Sequence, residues 1–134
     1  MILTPSRIAQ IVFVATLAAT GGAAQAASHS DEQILKLAPN ARMEQRCNAR
    51  AMGVIGREHK GLRPDELVAY AYADTVINGG TIRAPGAAVR SGGKWYHLSY
   101  ACQTAESGTE VKAFDYALGT VIPRAEWAEH FLVP

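Results

Sequence analysis

The chain has 134 residues, of which 49% are hydrophobic and 19% are charged, and its formal net charge is +1. This length supports one folded domain, and the apolar content excludes a chain that stays disordered. The twelve glycines show no Gly-x-y period, which excludes collagen. A near-neutral chain has no overall field to draw it onto nucleic acid, so nucleic acid is not an expected partner.

The first 26 residues have the three parts of a secretory signal peptide. Arg7 precedes an apolar stretch, residues 8–17, and a small-residue end follows at Ala24-Gln25-Ala26. Thr16 within this stretch and Thr20, Gly21 and Gly22 after it dilute the apolar run, and no stop-transfer flank follows, which makes a membrane anchor the weaker alternative. We expect cleavage after Ala26, leaving residues 27–134 as a single domain with no membrane span and, because Arg7 is lost, no formal net charge.

Cys47 and Cys102 are the only cysteines, and both lie in the predicted mature chain. Export would carry them to a compartment where disulfides persist. We therefore predict a structural Cys47–Cys102 disulfide, with two buried free thiols as the alternative. A redox function would favour a Cys-x-x-Cys pair, and the sequence contains none.

Helical patterns occupy the start of the mature chain. Serines before Asp31 are typical cap residues and predict a short helix that ends at Pro39. From Pro39 to about Gly56, apolar residues at spacings of three and four predict a second helix with Cys47 in its buried stripe. A neighbouring row at i, i+4 and i+8 consists of Arg42, Arg46 and Arg50.

Strand patterns follow this helix. Between residues 64 and 73, the alternation of large and small residues over Leu67–Ala73 favours a strand, whereas Pro64-Asp65-Glu66 is typical of a helix start. The turn at Asn78-Gly79-Gly80 leads into further predicted elements. These are a strand at 81–90 bent at Pro85-Gly86, a strand at 94–102, a strand at 110–118, and a terminal helix at 124–131 with Trp127 and Phe131 on one side.

Alternate residues of the strand at 94–102 point to opposite faces of the sheet. If Cys102 binds Cys47, then Cys102, Tyr100, Leu98 and Tyr96 face the helix and form the core. Trp95, His97 and Ser99 then lie on the far face. We expect the terminal helix to cover Trp95, with an open aromatic face as the alternative.

The run from Pro85 to Cys102, with Phe114-Asp115-Tyr116, Ile122-Pro123 and Trp127 behind it, resembles an uncharacterised family of exported bacterial proteins, domain of unknown function 930. The resemblance extends from Cys47 to Trp127, and Val89 stands where that family leads us to expect a large aromatic residue. It implies a bacterial protein on the envelope side and implies no reaction, so function has to be argued from a site.

Motifs that would name a chemistry are missing from the sequence. The four histidines are scattered without metal-ligand spacing, and no glycine-rich segment lies between a strand and a helix, so we expect no metal and no cofactor. Ser99, His97 and Asp115 could in principle form a hydrolytic site, but no nucleophile elbow or oxyanion donor accompanies them. A small hydrolase acting on an envelope component is therefore the alternative function.

Charge is unevenly distributed along the chain. Residues 42–63 hold four more basic than acidic residues, and residues 101–134 hold three more acidic than basic residues. Such a molecule can orient on a charged partner, although salt bridges between its two halves are the simpler interpretation.

The sequence thus predicts an α+β domain in which a sheet of about four mostly antiparallel strands packs on an N-terminal helix, with a short C-terminal helix and one disulfide. The predicted function is that of a non-catalytic interaction or accessory module, periplasmic or secreted, whose partner is an anionic envelope component or protein. The sequence leaves the oligomeric state open. The candidate interaction face consists of Arg42, Arg46, Arg50, Trp95 and His97.

Overall fold

A computed structural model describes residues 32–134. The predicted signal peptide, residues 1–26, and the start of the first predicted helix lie outside the described residues, and residues 32–35 are helical. The main helix, α1, spans Pro39–Glu58, close to its predicted bounds. Proline suits its first turn because the nitrogen there needs no intrahelical acceptor. Its buried face consists of Met43, Cys47, Asn48, Ala51 and Ile55.

Five strands form one antiparallel sheet, which confirms the predicted fold class. The central strands β3 and β4 are joined by a glycine hairpin, and β5 pairs with the other side of β4. Two short strands, β1 and β2, share the remaining edge of β3. The strands are β1 (Pro64–Val68), β2 (Val76–Asn78), β3 (Thr81–Ser91), β4 (Lys94–Thr104) and β5 (Val111–Val121).

The segment predicted as a strand at 67–73 is a strand only in its first part. β1 begins earlier, at Pro64, and ends at Val68, after which the chain turns away from the sheet. The turn is fixed by the Tyr72 N–H, which donates to the Gly86 carbonyl at 2.8 Å. The bend predicted at Pro85-Gly86 is present as an irregularity in the register between β3 and β4.

Glycine at position 86 lets this turn approach β3. A Cβ atom there would lie 2.4 Å from the Ala73 nitrogen and 2.9 Å from its Cβ, and neither atom belongs to a flexible side chain. At Gly53 on α1, an added Cβ would approach only the movable end of Arg57, at 3.3 Å. A methyl group would therefore clash with the backbone of the turn at position 86, whereas at position 53 it would meet only a side chain that can move.

We expect Gly86→Ala to lower the free energy of unfolding by about 1–3 kcal/mol, because the backbone of β3 or of the turn has to shift. Gly53→Ala is the matched control, and it should raise stability by up to about 1 kcal/mol, because alanine is the better helix former. Urea denaturation of both variants measures the difference. Equal stability of the two variants would show that the turn accommodates a methyl group.

The main core lies between α1 and the sheet. Cys47 and Cys102 form the predicted disulfide, with their Cα atoms 6.0 Å apart, and tie α1 to β4. The even residues of β4 face the helix as predicted, and the Tyr100 hydroxyl donates to the Asn48 side-chain oxygen at 2.8 Å. Burial raises the pKa of Tyr100, because a phenolate there would lose its hydration.

A second buried cluster lies on the far face, where the C-terminal segment covers Trp95 as expected. The predicted terminal helix is instead two short 3-10 turns, Arg124–Glu126 and Ala128–His130. Phe131 follows in the left-handed region at φ 61° and is 64% exposed, so it does not share the buried side of Trp127. Trp127 and Trp95 donate their indole N–H groups to carbonyls of Ile122 and Val133.

Candidate functional site

A groove runs along the seam between α1 and β5, which we call the α1–β5 groove. It consists of two adjoining hollows of about 380 and 620 Å³ that share Arg50 and Val111. The smaller hollow lies toward the end of α1, and the larger one lies over the middle of the helix. The smaller is lined by Arg50, Val54, Glu58 and residues 111–116, and the larger by Arg46, Ala49, Arg50, Gly53, Arg57 and residues 109–111.

Cations line one side of the larger hollow. Arg46, Arg50 and Arg57 project from α1 at positions i, i+4 and i+11, which places them along one side of the helix. Glu110 is the only acidic residue among the residues that line this hollow. Arg50 and Arg57 are exposed to solvent. The larger hollow therefore carries a local positive charge.

Arg42, which the sequence places in the same row, makes hydrogen bonds to the backbone of neighbouring segments. Its guanidinium donates to the carbonyls of Ser107 at 2.7 Å, Leu37 at 3.0 Å and Leu35 at 3.2 Å. These bonds join the start of α1 to the turn before β5 and to the preceding helical turn. Arg42 is therefore a structural residue, and we leave it out of the binding surface.

A tyrosine and a carboxylate line the smaller hollow, and the tyrosine also contacts a neighbouring histidine. The Tyr116 hydroxyl donates to the Glu58 carboxylate and lies 3.0 Å from His59 Nε2. The hydrogen bond to Glu58 raises the pKa of Tyr116, because ionisation would set two negative charges against each other. The phenol is therefore neutral at ordinary pH, and Glu58 already has a donor.

Trp95 and His97 do not join the arginines in one surface. Trp95 is fully buried under the C-terminal segment and contributes no surface. His97 is half-buried on the sheet face opposite α1, where its ring lies 4.7 Å from that of Tyr72. Tyr72 in turn stacks on His130 at 3.7 Å. The sheet therefore separates His97 from the α1–β5 groove.

Ser99, His97 and Asp115 share this opposite face. In the register between β4 and β5, Ser99 pairs with Ala117, and Asp115 pairs with Ala101. Two shallow hollows of about 330 and 370 Å³ lie over them. Within residues 32–134, no hydrogen bond links the serine, the histidine and the aspartate. The hydrolase alternative thus gains no supporting contact.

Arg57 and Lys112 are groove residues that the predicted interaction face omits. Arg57 lies seven residues after Arg50, about two helical turns further on, so the sequence spacing was sufficient to place it on the same side of α1. Lys112 lies on β5, and only the packing of β5 beside α1 brings it to the groove. No group of histidine, cysteine, aspartate or glutamate residues in the described part of the chain could hold a metal ion.

These features define a class of protein. It is an α+β domain in which a disulfide joins one helix to an antiparallel sheet, and that helix flanks a groove whose larger hollow is basic. The chain belongs to the family described as Domain of Unknown Function (DUF930), whose family model matches residues 34–132. The match covers α1, all five strands and most of the C-terminal segment, and it confirms the resemblance read from the sequence. Comparisons with curated proteins and with solved structures give no match.

Proposed function

We propose that the mature protein is a non-catalytic binding module of the bacterial cell envelope, periplasmic or secreted, and that it holds an anionic partner in the α1–β5 groove. The observation that carries this proposal is the exposed pair Arg50 and Arg57 beside the larger hollow. The Cys47–Cys102 disulfide supports the compartment, because such bonds persist in oxidising surroundings. Among the described residues, no helix is long and apolar enough to cross a membrane.

An anionic partner fits the balance of charge in the larger hollow of the groove. The larger hollow has three arginines and one glutamate, so a bound carboxylate or phosphate would gain an attraction that solvent only partly screens. The whole chain has a net charge of only +1, so recognition depends on this local surplus. In the smaller hollow, the Tyr116 phenol is neutral and the Glu58 carboxylate already accepts its hydrogen bond. These two groups therefore favour contact with a ligand over proton transfer.

Replacing Arg50 and Arg57 together by glutamine should raise the dissociation constant for poly-L-glutamate about two- to thirtyfold at low ionic strength. Each exposed charge contact contributes about 0.2–1 kcal/mol, and the two together account for this range. The residual binding should depend less on salt, because fewer charge contacts remain to be screened. Fluorescence anisotropy of labelled poly-L-glutamate measures both effects.

The matched control is Arg63→Gln with Arg83→Gln, which removes the same charge from exposed positions outside the groove. The control should bind as the parent does, and both double variants should keep the parent's stability to within about 0.5 kcal/mol. Equal weakening in the two double variants would mean that net charge alone attracts the polymer. Unchanged binding in both would remove the groove as the site.

A further inference from the structure

β5 lies at an open edge of the sheet. Its eleven residues pair with β4 on one side, and no described strand pairs with its other side. Proteins usually protect such an edge by making it short or by placing proline or several charges on it. β5 is as long as the central strands, contains no proline, and carries only Lys112 and Asp115 as charged residues. An exposed edge of this length can bind another strand.

The register shows which backbone groups are free. In an antiparallel pair, residues alternate between hydrogen-bonded pairs and pairs whose N–H and C=O groups point outward. The Ile122 N–H donates to the Trp95 carbonyl at 2.8 Å and the Ala105 N–H to the Glu110 carbonyl at 2.9 Å, which brackets the ladder at both ends. The β4–β5 register shifts by one residue near each end of the ladder. Alternating hydrogen-bonded and non-hydrogen-bonded pairs from either end, with these shifts included, gives the same set of β5 residues whose backbone groups point away from β4. They are Phe114, Tyr116 and Leu118.

The free backbone groups and the groove lie together. The side chains of Phe114 and Tyr116 point to the α1 side of the sheet and line the smaller hollow. A strand added beside β5 would place every second side chain on that same side, facing α1. Those side chains would meet Arg50 in both hollows and Arg57 in the larger one.

We propose that β5 binds an extended peptide segment with acidic side chains at alternate positions, which adds to the sheet as an antiparallel strand while its carboxylates meet the arginines of α1. Main-chain hydrogen bonds would supply affinity, and the alternate carboxylates would supply specificity. This inference rests on the proposed function, because it assigns a partner class to the same groove.

A second copy of the chain fits this edge less well. Pairing β5 with β5 about a twofold axis would bring two α1 helices to the same seam, each with its own arginines. Like charges brought together in this way oppose association, whereas an acidic peptide neutralises them. Charge therefore favours the peptide as the occupant.

The test uses a synthetic peptide of alternating glutamate and valine, long enough to span β5, and two backbone-methylated forms of it. One form is N-methylated at the glutamates and the other at the valines. In the antiparallel arrangement, the glutamates lie opposite the outward-pointing residues of β5, so their N–H groups are the ones that donate to it. We expect methylation at the glutamates to weaken binding at least tenfold, and methylation at the valines to leave it nearly unchanged.

Amide hydrogen exchange provides an independent measurement on the full mature protein. In the free protein, the amides of Phe114, Tyr116 and Leu118 should exchange quickly, and those of Asp115 and Ala117 slowly. The unmethylated peptide should slow exchange at the first three, because they become hydrogen-bonded. Protection at those residues without peptide, rising with protein concentration, would identify a second copy as the occupant and would overturn this proposal.

The two proposals fail in different ways. If both methylated peptides bind equally and still depend on Arg50 and Arg57, strand addition is wrong while the anion-binding groove stands. If the unmethylated peptide and poly-L-glutamate both fail to bind, the proposed function fails as well. The unmethylated peptide could also bind the Arg50→Gln, Arg57→Gln variant as strongly as it binds the parent. That result would show that the carboxylates do not select the site and would overturn this part of the proposal.

Discussion

Reduction of the Cys47–Cys102 disulfide should lower the free energy of unfolding by about 4 kcal/mol, as expected from the entropy of closing a 55-residue loop in the unfolded chain. A domain of this size has a total stability of about 5–15 kcal/mol, so the loss is a large fraction of the whole. Urea denaturation with and without a reductant measures the difference. The reduced protein should also unfold at a clearly lower temperature.

A double variant, Cys47→Ala with Cys102→Ala, separates the cross-link from the effect of free thiols. Both sulfurs are fully buried in the oxidised protein, so this variant should be at least as unstable as the reduced parent. If the reduced parent and the double variant both had the same free energy of unfolding as the oxidised protein, the cross-link would contribute nothing to stability. Thiol titration of the unfolded, unreduced protein should detect essentially no free thiol.

Trp95→Ala is expected to lower the free energy of unfolding by about 3–5 kcal/mol, since it empties a large, fully buried site. Trp95 is the largest fully buried side chain within residues 32–134, and its N–H donates to the Val133 carbonyl at 2.7 Å. The variant therefore also leaves the C-terminal segment without one of its attachments to the sheet. Chemical denaturation gives the stability change, and amide exchange beyond Trp127 reports release of the segment.

Val121→Ala is the control for this substitution, because Val121 lies on the neighbouring strand and is 48% exposed. It should change stability by no more than about 0.5 kcal/mol. A Trp95→Ala protein as stable as this control would mean that the cluster collapses without cost around the missing ring. That outcome would contradict the assignment of Trp95 to a rigid second core.

The disulfide also affects the proposed site. Cys47 directly follows Arg46, and its bond to Cys102 of β4 sets where α1 lies on the sheet. The position of α1 in turn decides how far Arg50 and Arg57 stand from β5. We therefore regard the cross-link as part of the scaffold that holds the α1–β5 groove open, in addition to its effect on stability.

Local patterns in the sequence were sufficient for several elements. The apolar spacing of Met43, Cys47, Ala51 and either Val54 or Ile55 predicted α1 and its buried face, because side chains three and four residues apart share one side of a helix. The structure buries Ile55 at the last of these positions. The glycine hairpin and the alternation along β4 predicted the β3–β4 pair and divided β4 into two faces. The Cys47–Cys102 pairing was predicted separately, because these are the only two cysteines of a chain expected to be exported, and it is confirmed. That pairing is what assigned Tyr96, Leu98, Tyr100 and Cys102 to the core face of β4.

Tertiary contacts decided the remainder. The chain leaves β1 after Val68 because the Tyr72 N–H reaches the Gly86 carbonyl, a contact between residues that the local pattern does not relate. The groove depends on the docking of α1 beside β5, which brings Lys112 near Arg50. Sequence spacing alone placed Arg42 in one row with Arg46 and Arg50, whereas its guanidinium binds the nearby carbonyls of Leu35 and Leu37 and the distant carbonyl of Ser107. Periodicity fixes which side of an element a residue occupies, but the neighbour that the residue meets depends on how the elements pack.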